Sequence, residues 1–326
     1  EFSIGAKIVI CPKSLIFVIP KRLFMLSHED IENIIARSIL NLDLKGEPES
    51  LYRPIEYMIS VGGKRIRPRL CLTVFNLFSD NVGNNIIYPA IALEIFHEFS
   101  LVHDDIMDNS DTRRNQPTVF KKWGTNNAIL SGDVMLILAY KYISFCNSEV
   151  MPEAMRLFTE TTIKVCEGQQ FDMDFEEKPF ITMSDYISMI GLKTGVLLAC
   201  SAEMGALIAG ASSEMRDALY KFGYQLGLAF QIADDYLDTF GDRQIFGKKI
   251  GDDIVNNKKT WLQVECIRRA EGADKERLAS ILEMGEEMRD EKVAAMKQLY
   301  IDLGIRDDAR NAILEYNNRA FEAISG

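Results

Sequence analysis

What most constrains this chain is the return of apolar residues at spacings of three and four over long stretches. They are "LYRPIEYMISVGG", "AIALEIFHEFSLVHDDIMD", "AILSGDVMLILAYKYISF", "YISMIGLKTGVLLACSAEMGALIAG" and "LYKFGYQLGLAFQIADDYLDTF". That period is helical, and no convincing alternating run argues for a strand. Several stretches are apolar nearly all round, which puts them in the centre of a bundle. The breaks between them, such as "SDNVGNN", "NSDTRRNQPT", "EEKPFITMSD" and "GDRQIFGKKIGDDIVNNKK", are turn-rich but too short to be interdomain linkers. The expected fold is all-α, one large helical domain, and 326 residues are enough to bury an extensive core.

The beginning of the chain is set apart. "AKIVICPKSLIFVIPKRLFML" is broken by Pro12, Lys13, Pro20, Lys21 and Arg22, so its apolar runs fall short of the roughly 20 residues a spanning helix needs. Residues 1–26 read as an N-terminal extension, a tag or upstream-start segment with Met25 as a candidate start, and 27–326 as the domain. Ser27 and Asp30 form a capping-box pattern ahead of "IENIIARSIL".

Charge and cysteine usage exclude several partners. Acidic residues outnumber basic ones 48 to 37, a net charge of −11, which argues against broad binding to nucleic acid or anionic lipid. Six scattered cysteines without a CxxC pair suit a reduced, cytoplasmic compartment. Three histidines offer little for a zinc site, so a hard cation with oxygen ligands is the better candidate.

Two acidic clusters sit inside these apolar helices. Asp104, Asp105 and Asp108 follow "AIALEIF"; Asp234, Asp235 and Asp238 repeat the one, two, five spacing in "AFQIADDYLDTF". Asp104 and Asp108 share a helix face, a repulsive arrangement unless something positive lies between them. One such cluster is commonly a solvated face; two, each in an apolar helix, point to magnesium and a diphosphate clamp, because magnesium completes its shell with water and phosphate. Cations accompany them. "VGGKRIRPRL" places Lys64, Arg65, Arg67 and Arg69 behind Gly62 and Gly63, Arg113 and Arg114 follow the first cluster, and Lys248, Lys249, Lys258 and Lys259 follow the second. Arginine forks match phosphate oxygens. His97, Ser100, Asp104 and Asp108 fall on one face, which favours anion binding by His97, whereas His103 points elsewhere and reads as structural.

With "GGKRIRP", "LVHDDIMDNSDTRRNQPT", "GQQFD", "KTG", "FQIADDYLD" and "GKKIGDDIVNNKKT" in that order, the chain from about residue 27 resembles the trans-isoprenyl diphosphate synthases of the polyprenyl synthetase family. The resemblance implies an all-α bundle around a central cavity, usually a homodimer, and three Mg²⁺ ions bridging the aspartates to an allylic diphosphate. It implies Asp104, Asp108 and Asp234 as metal ligands, supported by Asp105, Asp235 and Asp238. Lys193, Lys248, Lys258 and Arg113 match the residues that hold the allylic diphosphate, with Lys249 as a substitute for Lys248. Lys64, Arg67, His97 and Arg114 match those for isopentenyl diphosphate. Gln169, Asp172, Thr194 and Gln231 fall where the family lines the reaction centre. The implied activity is a head-to-tail (1'-4) condensation giving a short-chain all-trans prenyl diphosphate. Phe99 and Ser100, five and four residues before the first motif, and Phe96 a turn back, match the floor of the elongation cavity. A single bulky ring there resembles C20 synthases first and C15 second. A class I terpene cyclase, a non-catalytic subunit of a heteromeric synthase and a magnesium-binding structural bundle are the alternatives.

Overall fold

The computed structural model describes residues 26–241 and 251–325. Among them the chain is a helical bundle. Its first half runs α1 (His28–Leu40), α2 (Glu49–Ser60), α3 (Ile66–Phe78), α4 (Asn84–Met107), α5 (Val119–Trp123), α6 (Thr125–Ile143) and α7 (Met151–Glu176). The second half runs α8 (Met183–Ile190), a π-helical turn (Gly191–Gly195), α9 (Val196–Ile208), α10 (Ser213–Phe240), α11 (Asp252–Val255), α12 (Trp261–Arg269), α13 (Gly272–Leu282), α14 (Arg289–Asp302) and α15 (Ile305–Ala323). The capping box forms as expected: the Asp30 amide donates to Ser27 Oγ at 3.1 Å and the Ser27 amide to Asp30 Oδ2 at 2.9 Å. Leu26 lies within the fold, its amide donating to Asn76 Oδ1 at 2.8 Å.

The most apolar helices are the innermost. Nearly every residue of α9 is buried, and α4 buries Ile91, Leu93, Ile95, Phe96, Phe99 and Val102. α4 packs on α6, α9 is sandwiched between α3 and α10, and α10 packs on α15. The segments Asn84–Met107 and Met183–Ile208 are long and apolar enough to cross a membrane by length and composition, but 67% and 72% of an apolar 18-residue window in each is buried inside this bundle, as expected of core helices.

Two local features depart from the helical expectation. Residues Thr112–Arg113 and Gln116–Pro117 pair as a small antiparallel hairpin, closed by Arg114 and Asn115 at φ 52° and 61°. Two left-handed residues in a two-residue loop match the twist of a hairpin, and a stretch this short and polar has no apolar alternation to announce it. The second feature is the π turn at "GLKTG". A Cβ on Gly168 of α7 would lie 2.7 Å from Lys193 Cα, and one on Gly227 of α10 would lie 2.6 Å from Gly195 Cα. Glycines on two neighbours thus let the backbone of this turn pack tightly between α7 and α10.

Candidate active site

The chemistry collects where α4, α7 and α10 end. Helix C-termini carry partial negative charge, and each of these ends also bears carboxylates, so the region demands cations. The π turn supplies one. Lys193 Nζ donates to Asp104 Oδ1 at 3.2 Å and to Asp172 Oδ2 at 2.7 Å. Burial works against its charge, but Asp104 and Asp172 outweigh burial and raise its pKa. Arg113, from the hairpin, donates through Nε to Asp105 Oδ1 at 2.8 Å and through Nη2 to Asp104 Oδ2 at 3.4 Å. Lys258 Nζ donates to Asp108 Oδ1 at 3.0 Å and also pairs with Glu176.

The cations are unevenly shared between Asp104 and Asp108. Burial opposes the charged form of Asp104, yet Lys193 and Arg113 outweigh it and hold the carboxyl below its ordinary range. Asp108 goes the other way: burial and the neighbouring Asp104 charge raise it, and Lys258 only partly offsets them. An oxygen-only pair of which one member is under-compensated fits a hard divalent cation. Among the described residues no three acidic, cysteine or histidine side chains form a closed cage; magnesium held by one or two carboxylates and completed by phosphate and water does not require one.

The second cluster divides its labour. Asp235 is 5% exposed, and its Oδ2 accepts from Tyr186 OH at 2.6 Å and from the Trp261 amide at 2.9 Å, while Oδ1 accepts from Gln231 Nε2 at 3.1 Å. Burial, with Asp253 nearby, pushes it up to about 7. Asp238 Oδ2 accepts from the Asp253 amide at 3.2 Å, and Asp234 is half-buried. Thr194, next to Lys193, donates to Gln231 Oε1 at 2.9 Å. Two consecutive residues of the π turn therefore link the clusters: Lys193 to the first, Thr194 through Gln231 to the second. Gln169 Nε2 reaches Met107 Sδ at 3.7 Å beside the first cluster.

A separate cluster of cationic side chains lies beside α3 and α4. Burial lowers the pKa of Arg67 against the pull of Glu94 and Glu98, and its buried Nε has no hydrogen-bond partner. An orphaned guanidinium N–H is suited to an anion. His97 is held well below its ordinary pKa, by burial first and then by Arg67, Arg114, Arg113 and Arg65, so it is a neutral imidazole. Lys64 is exposed, 5.9 Å from the Phe230 ring centroid. Arg114 Nη1 donates to Glu98 Oε1 at 3.0 Å and to the Gly62 carbonyl. Lys248 and Lys249 lie outside the described residues.

Phe99, 8% exposed, packs between Phe96, tilted at a centroid distance of 5.5 Å, and His103, edge-to-face at 4.8 Å, and Phe96 in turn meets Phe158 at 5.5 Å. Ser100 is half-buried and donates to the His97 carbonyl at 2.8 Å. His103 contacts the Ile129 carbonyl at 3.2 Å, away from the aspartates' cations. Sequence reasoning passed over Glu94, Glu98, Glu176 and Tyr186. A signal existed for two of them: Glu94, Glu98 and Asp105, four and seven apart, lie on one stripe of an apolar helix.

A helical bundle that gathers carboxylates and cations at one end, beside a second cluster of cationic side chains, has the make-up of an all-α enzyme that works on diphosphates. Comparison with known proteins agrees. The polyprenyl synthetase family model matches residues 48–300. A short chain isoprenyl diphosphate synthase of Methanothermobacter thermautotrophicus is 40% identical over 281 residues, 85% of this chain and 84% of that one. A geranylgeranyl diphosphate synthase of Methanosarcina mazei is 36% identical over 282 residues, again 85% and 84%. A crystal structure of a geranylgeranyl pyrophosphate synthase superposes with a TM-score of 0.87 at 38% identity, covering 92% of each chain. The chain belongs to the polyprenyl synthetase family, and it is a prenyltransferase of isoprenoid biosynthesis with the all-α fold of that family.

Proposed function

We propose that the enzyme couples an allylic diphosphate to isopentenyl diphosphate head to tail (1'-4), releasing diphosphate and a short all-trans prenyl diphosphate, C20 first and C15 next. The observation that carries this reading is the pairing of two anion sites: carboxylates and lysines joined through Lys193 and Thr194, and the arginine pocket with its orphaned Arg67 Nε. A one-substrate cyclase has no use for the second.

Asp104, Asp108 and Asp234 would hold magnesium, as many as three ions with the substrate's help, and the metal would neutralise charge on the leaving diphosphate. Lys193, Arg113 and Lys258, and Lys248 by resemblance, receive the same group as cations. Thr194 spends its proton on Gln231, which leaves its oxygen lone pairs for the electron-poor allylic carbon. Asp172 orients Lys193, and Asp105 orients Arg113. Asp235 acts as a buried anchor that fixes Gln231, and Asp238 anchors the Asp253 turn. Arg67, Arg114, Lys64 and neutral His97 receive isopentenyl diphosphate, whose double bond attacks the allylic carbon; the departing diphosphate takes the proton that is lost. Phe99, with Ser100 and Phe96, forms the floor for the growing chain.

The enzyme works as a homodimer in the cytoplasm on this reading. Exposed Leu130 and Ile137 of α6, with Ile163 of α7, support an interface, and the described cysteines are free thiols, as a reduced compartment requires. The domain proper begins near residue 27, where the capping box starts α1.

The test is an incubation of farnesyl, geranyl or dimethylallyl diphosphate with magnesium, with and without isopentenyl diphosphate. Product should be a longer prenyl diphosphate, formed only with both substrates and lost on chelation or in Asp104→Ala. A cyclic hydrocarbon from the allylic substrate alone would make it a cyclase. Undiminished turnover in chelator would overturn the magnesium assignment.

A further inference from the structure

α4 carries a second acidic pair, one turn apart, that the reaction above does not use. Glu94 and Glu98 are 2% and 0% exposed. Arg65 Nη1 donates to both, to Glu94 Oε1 and to Glu98 Oε1 at 2.8 Å each, and its Nη2 donates to the Ile59 carbonyl at 2.6 Å. Arg114 Nη1 donates to Glu98 Oε1 and Oε2 at 3.0 and 3.2 Å. Both arginines have left-handed backbones, at φ 48° and 52°. A non-glycine residue stays in that region only where its surroundings hold it there. Two strained backbones, one before α3 and one in the hairpin, thus converge on a single fully buried carboxylate.

We propose that Glu98 is a positioning residue of the isopentenyl diphosphate pocket, an internal counter-anion that holds Arg65 and Arg114 and takes up a proton from solvent when the diphosphate binds beside them. The inference rests on the assignment of that pocket made above. The charged and titratable groups around Glu98 are Glu94 and His97 on α4, Arg65 just before α3 and Arg67 on it, and Arg113 and Arg114 of the hairpin. The arginines keep their charge near neutrality, and His97 is already neutral there. Burial and then Glu94 push Glu98 up, Arg114 and Arg65 pull it down, and it settles at about 7. An incoming diphosphate adds negative charge to the same arginines, which favours the protonated carboxyl further. The carboxylic acid still accepts from both arginines, so the pocket keeps its shape while its internal negative charge is replaced by that of the substrate.

Calorimetric titration with isopentenyl diphosphate, in buffers of different protonation enthalpy, tests this on wild type, Glu98→Gln and Glu98→Asp. Wild type should take up more protons than Glu98→Gln, by a fraction of one proton near pH 7.5. Its affinity, divided by that of Glu98→Gln, should fall between pH 6 and 8.5 about tenfold for each pKa unit by which binding moves Glu98. Glu98→Asp, which retracts the charge by one methylene, should keep proton uptake but bind isopentenyl diphosphate more weakly at every pH, with the KM for the allylic substrate unchanged. If Glu98→Gln does not fold, Glu98→Asp carries the test alone, and wild-type affinity in that variant overturns the proposal. Parallel pH profiles and equal proton counts in wild type and Glu98→Gln also overturn it. Arg67→Ala separates the two levels. If it loses affinity while the Glu98 variants follow wild type, only the role of Glu98 falls; if it binds isopentenyl diphosphate normally, the pocket assignment and this inference fall together.

Discussion

Replacing Phe99 by alanine should lengthen the product by about one isoprene unit, a step size that follows from helix geometry. Phe99 and Phe96 are three residues apart on α4, about 4.5 Å along the axis at about 1.5 Å per residue. Their ring centroids are 5.5 Å apart. An extended isoprene unit adds four carbon–carbon bonds, roughly 5 Å at about 1.5 Å per bond after zigzag foreshortening. Removing the first ring therefore opens room for one more unit before the chain meets Phe96, which is 1% exposed and backed by Phe158 at 5.5 Å. The double substitution of Phe99 and Phe96 should lengthen the product further. Truncating a buried phenylalanine costs about 3–5 kcal/mol, so thermal melts must show that each variant is folded at the assay temperature. Products made from labelled isopentenyl diphosphate and a farnesyl primer, separated by chain length, give the readout. An unchanged distribution in folded Phe99→Ala would refute Phe99 as the floor, and so would lengthening by Phe96→Ala alone.

Two further outcomes follow from contacts in the site. Arg67→Ala should raise the KM for isopentenyl diphosphate at least tenfold with a smaller change for the allylic substrate, while Lys193→Ala should act chiefly on the allylic side, because charge-assisted bonds to one diphosphate do not touch the other; steady-state kinetics with each substrate varied in turn decides it. Gly168→Ala should destabilise the protein by about 1–3 kcal/mol through overpacking and lower turnover at saturating substrate, since the new methyl would sit 2.7 Å from Lys193 Cα; a variant with wild-type melting temperature and kcat would show that α7 does not hold the π turn.

Much of the site was legible because its signals are local. The helical period of the apolar residues, the one, two, five spacing of each aspartate cluster and the capping box at Ser27 all lie within a turn or two of sequence, the range over which helix geometry determines which side chains share a face. The same logic held for Glu94, Glu98 and Asp105, where the spacing was present but their buried arginine partners were not visible. Fold class and the identity of the chemical groups were thus settled by the sequence itself.

Partnership across the bundle was decided only by tertiary packing. Nothing local distinguishes Asp104 from Asp105 or Asp234 from Asp235, yet Asp235 is a buried anchor for Tyr186, Gln231 and Trp261. Adjacent Arg113 and Arg114 look equivalent, but a two-residue left-handed turn sends one to the aspartates and the other to Glu98. Lys258 meets Asp108 across 150 residues of chain. Periodicity specifies which face of each helix is buried. Which charge on that face finds a counter-charge depends on how helices distant in sequence pack together, because a buried ion is tolerable only where its partner is brought to it.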